Sequence, residues 1–152
     1  YTIGILVLGW VLASALLQSC EKADDEFVHT ANTISQMICK ASHTSGEYRG
    51  EITEYNKDGK EVTDITKEDI EGGYGLIIFK VPVSLKDEVD LTSVYLIATV
   101  TYDEFITPSL TGKHDITGDG IIISVKSGVG TVRNYRVRGS SGSGETVAPF
   151  ER

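Results

Sequence analysis

From residue 92 to 102 the chain reads TSVYLIATVTY, and one parity collects Val94, Leu96, Ala98, Val100 and Tyr102. The other parity, Ser93, Tyr95, Ile97, Thr99 and Thr101, is mostly polar. A period of two predicts a strand with one buried face. Gly75–Val81, GLIIFKV, is apolar on both parities until Lys80, and Pro82 ends it, so it predicts a central strand. Glu47–Tyr55 and Lys60–Ile65 flank Asn56-Lys57-Asp58-Gly59. Asp-Gly between β-prone runs predicts a hairpin, because Gly accepts a positive φ. A second hairpin is expected to join Ile121–Lys126 to Thr131–Val137 through Ser127-Gly128-Val129-Gly130. Its inward residues would be Ile121, Ile123 and Val125 on one strand, and Tyr135 and Val137 on the other.

Helix signals are sparse. The one candidate turn is Thr66-Lys67-Glu68-Asp69-Ile70, where Thr66 could cap and acidic residues follow. Tallying these segments gives about seven strands, with turn signals every 8 to 15 residues or so, which predicts an all-β, Ig-like antiparallel β-sandwich without a disulfide. The rival architecture is a small lipocalin-like β-barrel. The inward face separates them: a sandwich fills it with side chains, whereas a ligand barrel leaves an apolar cavity.

The N-terminal nineteen residues, YTIGILVLGWVLASALLQS, break this pattern, being uncharged throughout; the first charge is Glu21. Such a run reads as a secretory signal and is set aside from fold reasoning. It starts at Tyr and lacks a basic n-region, so the signal is expected to be N-terminally incomplete. The expected organisation is a signal over 1–19, Cys20 and an acidic linker over 20–30, a sandwich over 31–139, and a Gly/Ser linker and tail over 140–152. A last edge strand could form around Thr146-Val147. A length of 152 residues fits one domain.

Leu17-Gln18-Ser19-Cys20 resembles a bacterial lipobox. The resemblance implies diacylglyceryl transfer to the Cys20 thiol, cleavage before it, and a mature N-terminus carrying about three acyl chains, enough for stable anchoring. An uncleaved transmembrane anchor and an ordinary cleaved signal are the alternatives. SCEKADDE resembles the start of Bacteroidetes lipoproteins, in which acidic residues after the Cys direct surface export. The implied location is the outer membrane on the cell surface; a solvated acidic linker with retention on the periplasmic side is the alternative.

Farther on, Asp90-Leu91-Thr92-Ser93-Val94, Phe105-Ile106-Thr107-Pro108-Ser109-Leu110-Thr111-Gly112, Ile121–Lys126 and Arg133-Asn134-Tyr135-Arg136-Val137 form an ordered set. The set resembles Ig-like or cadherin-like modules of Bacteroidetes surface lipoproteins, in which a "DLTN" segment, an "IsPxsG" loop and a closing hairpin recur. The likeness runs from Asp90 to Gly139 and implies a sandwich; those modules share no established activity, so it implies no function. The Ser-Gly-Val-Gly hairpin loop lacks their usual acidic residue.

Charge narrows the partners. The net charge is −8 without a basic stripe, which argues against nucleic acid. DITGDGIIISVK (115–126) puts Asp115, Thr117, Asp119 and Gly120 at positions 1, 3, 5 and 6 of an EF-hand loop. Position 12 is Lys126, position 9 is Ile123, and no flanking helices are visible, so a tight turn entering a strand is expected. Pooling of Asp87, Asp90, Asp103, Asp115 and Asp119 around Ca²⁺ cannot be read from spacing, and no metal site or cofactor is assigned. Cys39, flanked by Met37 and Ile38, is expected to be buried and inert; Cys39, His43 and His29 lack the paired spacing of a Zn site.

No catalytic residues are assigned. His114-Asp115 are neighbours that a strand would aim to opposite faces, and no GxSxG, HExxH or phosphate loop occurs. The expectation is a non-enzymatic, membrane-anchored module that binds or assembles with a surface protein or glycan through loops or a sheet edge. The alternative is a barrel holding a lipid or apolar ligand. After Cys20 there is no Trp, which weakens an aromatic glycan platform. The loops Asp103–Thr111 and His114–Gly120 adjoin in sequence and are expected to share one end of the sandwich.

Overall fold

The computed structural model describes residues 30–66, 69 and 71–141. The signal-like segment, Trp10, Cys20, the acidic linker up to His29 and residues 142–152 lie outside the described residues. Among the described residues, ten strands run in chain order: β1 (Gln36–Lys40), β2 (Glu47–Arg49), β3 (Glu51–Tyr55), β4 (Glu61–Val62), β5 (Tyr74–Val81), β6 (Val94–Thr99), β7 (Phe105–Thr107), β8 (Lys113–His114), β9 (Ile121–Lys126) and β10 (Val132–Ser141). They form a four-stranded sheet ordered β2-β1-β6-β8 and a six-stranded sheet ordered β4-β3-β5-β10-β9-β7.

The two sheets face each other as a β-sandwich and do not close into a barrel, since neither end strand of one sheet pairs with the other sheet. Side chains fill the space between them. Met37, Cys39, Val94 and Leu96 come from the smaller sheet, and Ile77, Phe79, Ile123, Val125, Tyr135 and Val137 from the larger, all at most 4% exposed. Each large apolar side chain so buried contributes about 1.5–3 kcal/mol. The barrel with an apolar ligand is therefore corrected: the interior is occupied by the chain itself.

Alternation placed the strands well. β9 and β10 pair antiparallel as the expected hairpin, and Ser127 N–H donates to Thr131 O at 2.9 Å across the turn. β5 is central, as its doubly apolar pattern predicts, lying between β3 and β10. Its pairing with β10 is parallel, however, so the sandwich is not antiparallel throughout. The stretch 47–55 is also not one strand. At Gly50 it passes from the small sheet to the large one, and the Gly50 N–H donates to Met37 O at 2.8 Å. A Cβ at Gly50 would stand 2.6 Å from Ile77 Cγ2, so the crossing needs glycine's bare backbone. β4 is shorter than the 60–65 run suggests, and β10 continues to Ser141.

Every strand at the end of a sheet (β2, β8, β4 and β7) is two or three residues long. Short edges offer few unpaired backbone groups to another strand. At the predicted helical turn, Asp69 N–H donates to Thr66 O at 3.0 Å, while the Asp69 carboxylate accepts from Thr66 N–H at 3.0 Å and Oγ1 at 2.8 Å. Lys67, Glu68 and Ile70 of that turn lie outside the described residues.

The two loops expected to share an end do not. Asp103 packs its carboxylate on Gly128 in the β9–β10 hairpin turn. Ile116, in the other loop, hydrogen-bonds Leu91 and Gly139, beyond the opposite end of β9. Segment 108–112 links β7 in the large sheet to β8 in the small one, so it traverses the sandwich.

Candidate functional site

A cleft of about 350 Å³ opens at the end of the sandwich where β10 finishes, lined by Lys86, Asp87, Val89, Asp90, Leu91, Thr92, Thr117 and Ser141. Three segments build it. The first follows β5: Pro82 stops the strand, a 3-10 turn covers Val83–Leu85, and Val89 N–H returns to Leu85 O at 3.2 Å. The second is the 115–120 loop, and the third is the last residue of β10.

The same device of two hydrogen bonds on one carboxylate oxygen occurs in both loops. Asp90 Oδ1 accepts from Thr92 N–H at 3.0 Å and from Thr92 Oγ1 at 2.5 Å. Asp115 Oδ1 accepts from Thr117 N–H at 2.9 Å and from Thr117 Oγ1 at 2.5 Å. An Asp side chain that mimics a backbone turn in this way fixes the local chain without strands or helices. The sequences are Asp-Leu-Thr and Asp-Ile-Thr, and the middle residue turns inward each time. Ile116 is fully buried and Leu91 packs against the core. The two turns are stitched side by side by Ile116 N–H donating to Leu91 O at 2.9 Å.

Both carboxyls are held below the usual carboxylate range, chiefly by the threonine hydroxyl and then by the threonine N–H. The Asp115 charge pushes Asp90 back up, which marks the carboxylates as electrostatic neighbours, while Lys113 pulls it down. Both therefore stay ionised at neutral pH. Val89 and Leu91 give the cleft an apolar side. Its remaining lining is carboxylate, hydroxyl and one ammonium, a set that accepts hydrogen bonds more than it donates them.

The rest of DITGDG is explained by packing. Gly118 and Gly120 adopt φ of 59° and 70°, and a Cβ at Gly120 would collide with the Val137 carbonyl. Asp119 offers its carbonyl to Arg136 Nη1 at 2.9 Å. Ile123, the would-be ninth ligand, is fully buried between the sheets, and Lys126, the would-be twelfth, is exposed at the far end of β9. Of the five aspartates considered for pooling, Asp87 and Asp90 line the cleft, Asp115 and Asp119 belong to the loop beside it, and Asp103 lies at the other end. Among the described residues, no three His, Cys, Asp or Glu side chains converge as metal ligands.

Cys39 is fully buried, and burial pushes its thiol up to about 11. His43 instead packs against Tyr95, the rings tilted by 31° with centroids 4.3 Å apart, on the exposed side of the small sheet. His114 pairs with the inward Val94, and its Nε2 is buried without a hydrogen-bond partner, whereas Asp115 is exposed. The adjacent His114 and Asp115 thus face apart.

A second polar concentration lies inside the sandwich at the opposite end. Arg133 is fully buried and donates to Glu54 Oε2 through Nε at 2.9 Å, with Nη2 at 2.8 Å. It also donates to Asp69 O, Tyr55 O and Tyr74 O at 2.9–3.0 Å. Tyr135 Oη donates to Glu54 Oε1 at 2.5 Å and accepts from Ile34 N–H at 3.1 Å. Gly75 leaves room for the Tyr135 ring, which a Cβ there would strike. Burial raises the Glu54 carboxyl, against the opposing pulls of Tyr135 and Arg133, and also raises Tyr135. With its donors satisfied, this cluster is a structural lock that ties β3, β5, β10 and the segment before β1 together.

Sequence reasoning missed Lys86, Thr92 and Thr117 as lining residues; the repeated Asp-aliphatic-Thr was the available signal. It also missed the lock. Arg133 shares the inward parity of Tyr135 and Val137, but a charge there reads as solvent-facing.

No family model and no curated protein matches the chain. Among solved structures, one described as a "putative secreted protein" from Bacteroides fragilis is similar over 74% of this chain and 96% of its own, at 15% identity and a TM-score of 0.42. Among the described residues, no helix is long and apolar enough to cross a membrane.

Proposed function

We propose that this protein is a lipid-anchored surface lipoprotein and a non-catalytic binding module that engages its partner at the cleft rimmed by the Asp90 and Asp115 turns. The observation that carries the reading is the position of that cleft. The first described residue, Thr30, meets the hairpin turn before β10, where its carbonyl accepts from Thr131 Oγ1 at 3.1 Å. The cleft reaches Ser141, at the other end of β10. Ten strand residues span about 30 Å. A chain tethered through Cys20 is therefore attached at the end of the sandwich opposite the cleft. Rigid strands fix the two turns, and short sheet edges favour contact through loops over strand addition.

The ligand group suited to the cleft carries N–H or O–H donors and a small apolar face. Vicinal hydroxyls of a glycan and a basic side chain of a surface protein share that chemistry. The volume is at the small end of ligand pockets, room for one sugar ring or one long side chain.

The test is to probe the full chain against arrays of bacterial and host glycans and of basic peptides, beside the Asp90→Asn/Asp115→Asn variant. Asn keeps an acceptor for the threonine and preserves the turn, but removes the charge. A specific ligand on either array, weakened tenfold or more by the double substitution, supports the reading, and the array that responds names the source. Binding untouched by the substitutions, or hydrolysis of an arrayed glycan, overturns it.

A further inference from the structure

Four exposed apolar side chains gather at the corner where the chain enters the fold. Tyr102 is 92% exposed and Phe105 69%, while Val129 and Val132 are each 48% exposed. Their closeness follows from the pairing. Phe105 on β7 lies opposite Lys126 on β9, and Lys126 opposite Val132 on β10, one outward row across three strands. Val129 sits in the hairpin turn that joins β9 to β10, and Tyr102 in the turn preceding β7. Those two turns are locked together by the Asp103 carboxylate on Gly128.

Among the described residues nothing covers this corner, whereas the Thr30 entry point is built into it. Thr131 Oγ1 donates to Thr30 O and accepts from Asn32 Nδ2 at 3.3 Å. The chain between Cys20 and Thr30 reaches no more than about 35 Å when fully extended. A lipid on Cys20 would hold the corner within that distance of the bilayer.

The geometry points to the Tyr102–Phe105–Val129–Val132 corner as a membrane-contact surface that seats this end of the sandwich in the lipid interface. The inference rests on the proposed anchoring at Cys20. Tyr102 suits the headgroup level, where its ring has one apolar and one wet end, and Phe105 adds a wholly apolar ring to bury. Val129 and Val132 add apolar area, and Lys126 in the middle of the row can extend its ammonium toward lipid phosphate. Seating the corner sets the long axis of β10 roughly along the membrane normal and holds the cleft outward, which a flexible tether alone would not do.

The absence of Trp after Cys20 supplies a clean probe. Full-chain lipoproteins carrying Tyr102→Trp, Phe105→Trp or Val83→Trp are purified from a lipidating host and reconstituted in phosphatidylcholine vesicles containing acyl-brominated lipid. Val83 is 57% exposed and lies in the 3-10 turn just after Val81, which pairs with Ser141 at the cleft end, so it serves as the distal control. Mass spectrometry reports acylation, and circular dichroism reports folding. The expected result is an acylated chain with several-fold stronger quenching at 102 and 105 than at 83. Acylated, folded protein whose three positions are equally quenched, or all unquenched, overturns the membrane contact and leaves the anchor standing. A concentration-dependent blue shift at 105 without quenching also overturns it and assigns the corner to a second copy. A chain without acyl groups removes the anchor and the inference together.

Discussion

Replacing Arg133 by Met removes the cation at the centre of the buried lock while keeping a side chain of similar length. Arg133 is fully buried and Glu54 is 14% exposed. Removing one partner of such a pair strands the other charge, which costs about 3–5 kcal/mol. The carbonyls of Asp69, Tyr55 and Tyr74 also lose a donor. The expected loss is about 4 kcal/mol, a large share of the roughly 5–15 kcal/mol available to a domain. For a fold of this size that lowers Tm by roughly 15 °C. Glu54→Leu should cost about as much, because it leaves the Arg133 charge buried without its counter-ion and Tyr135 Oη without its acceptor. The combined Arg133→Met/Glu54→Leu variant should lose less than either single one, since no stranded charge remains. Urea unfolding followed by far-ultraviolet circular dichroism measures all three. If Arg133→Met costs under about 1 kcal/mol, or the double variant equals the sum of the singles, the lock is not the coupled unit described.

Two further outcomes are expected. Gly120→Ala should destabilise by about 2 kcal/mol or more, because a left-handed φ and a collision with the Val137 carbonyl add, whereas Gly118→Ala meets only the φ term of about 1 kcal/mol; equal losses in denaturant titration would refute the packing argument. The Cys39 thiol is raised from 9.0 to about 11, so its neutral form is the one the fold favours. Its contribution is fully present below pH 9 and is lost as pH rises toward 11, to a total of roughly 2–3 kcal/mol. Cys39→Ala should flatten that alkaline slope, and an unchanged slope would show that other groups produce it.

The strands were legible in the sequence because a half-buried strand writes its two faces into alternate positions. Ile123, Val125, Tyr135 and Val137 point inward as the alternation of 121–137 requires. The hairpin at 127–130 and the turn at 56–59 were legible for a related reason: both depend on neighbours in sequence and on glycine at positive φ. The DITGDG turn belongs with them, since Lys126 and Ile123 already spoke against an EF-hand.

What the tertiary structure alone decided is everything that depends on partners distant in sequence. The parallel pairing of β5 with β10 joins segments some 60 residues apart, and nothing local in either one encodes its direction. The crossing at Gly50 needs glycine because Ile77 and Phe79 pack against it, which alternation within 47–55 cannot see. Arg133 is tolerable inside only because Glu54 and three carbonyls converge on it, so its charge misleads a reading that sees one strand at a time. The cleft exists because Asp90-Leu91-Thr92 and Asp115-Ile116-Thr117, each a self-contained turn in the sequence, are brought together by one backbone hydrogen bond between Ile116 and Leu91. Sequence fixes a turn through local hydrogen bonds; only the packed sheets decide which turns become neighbours.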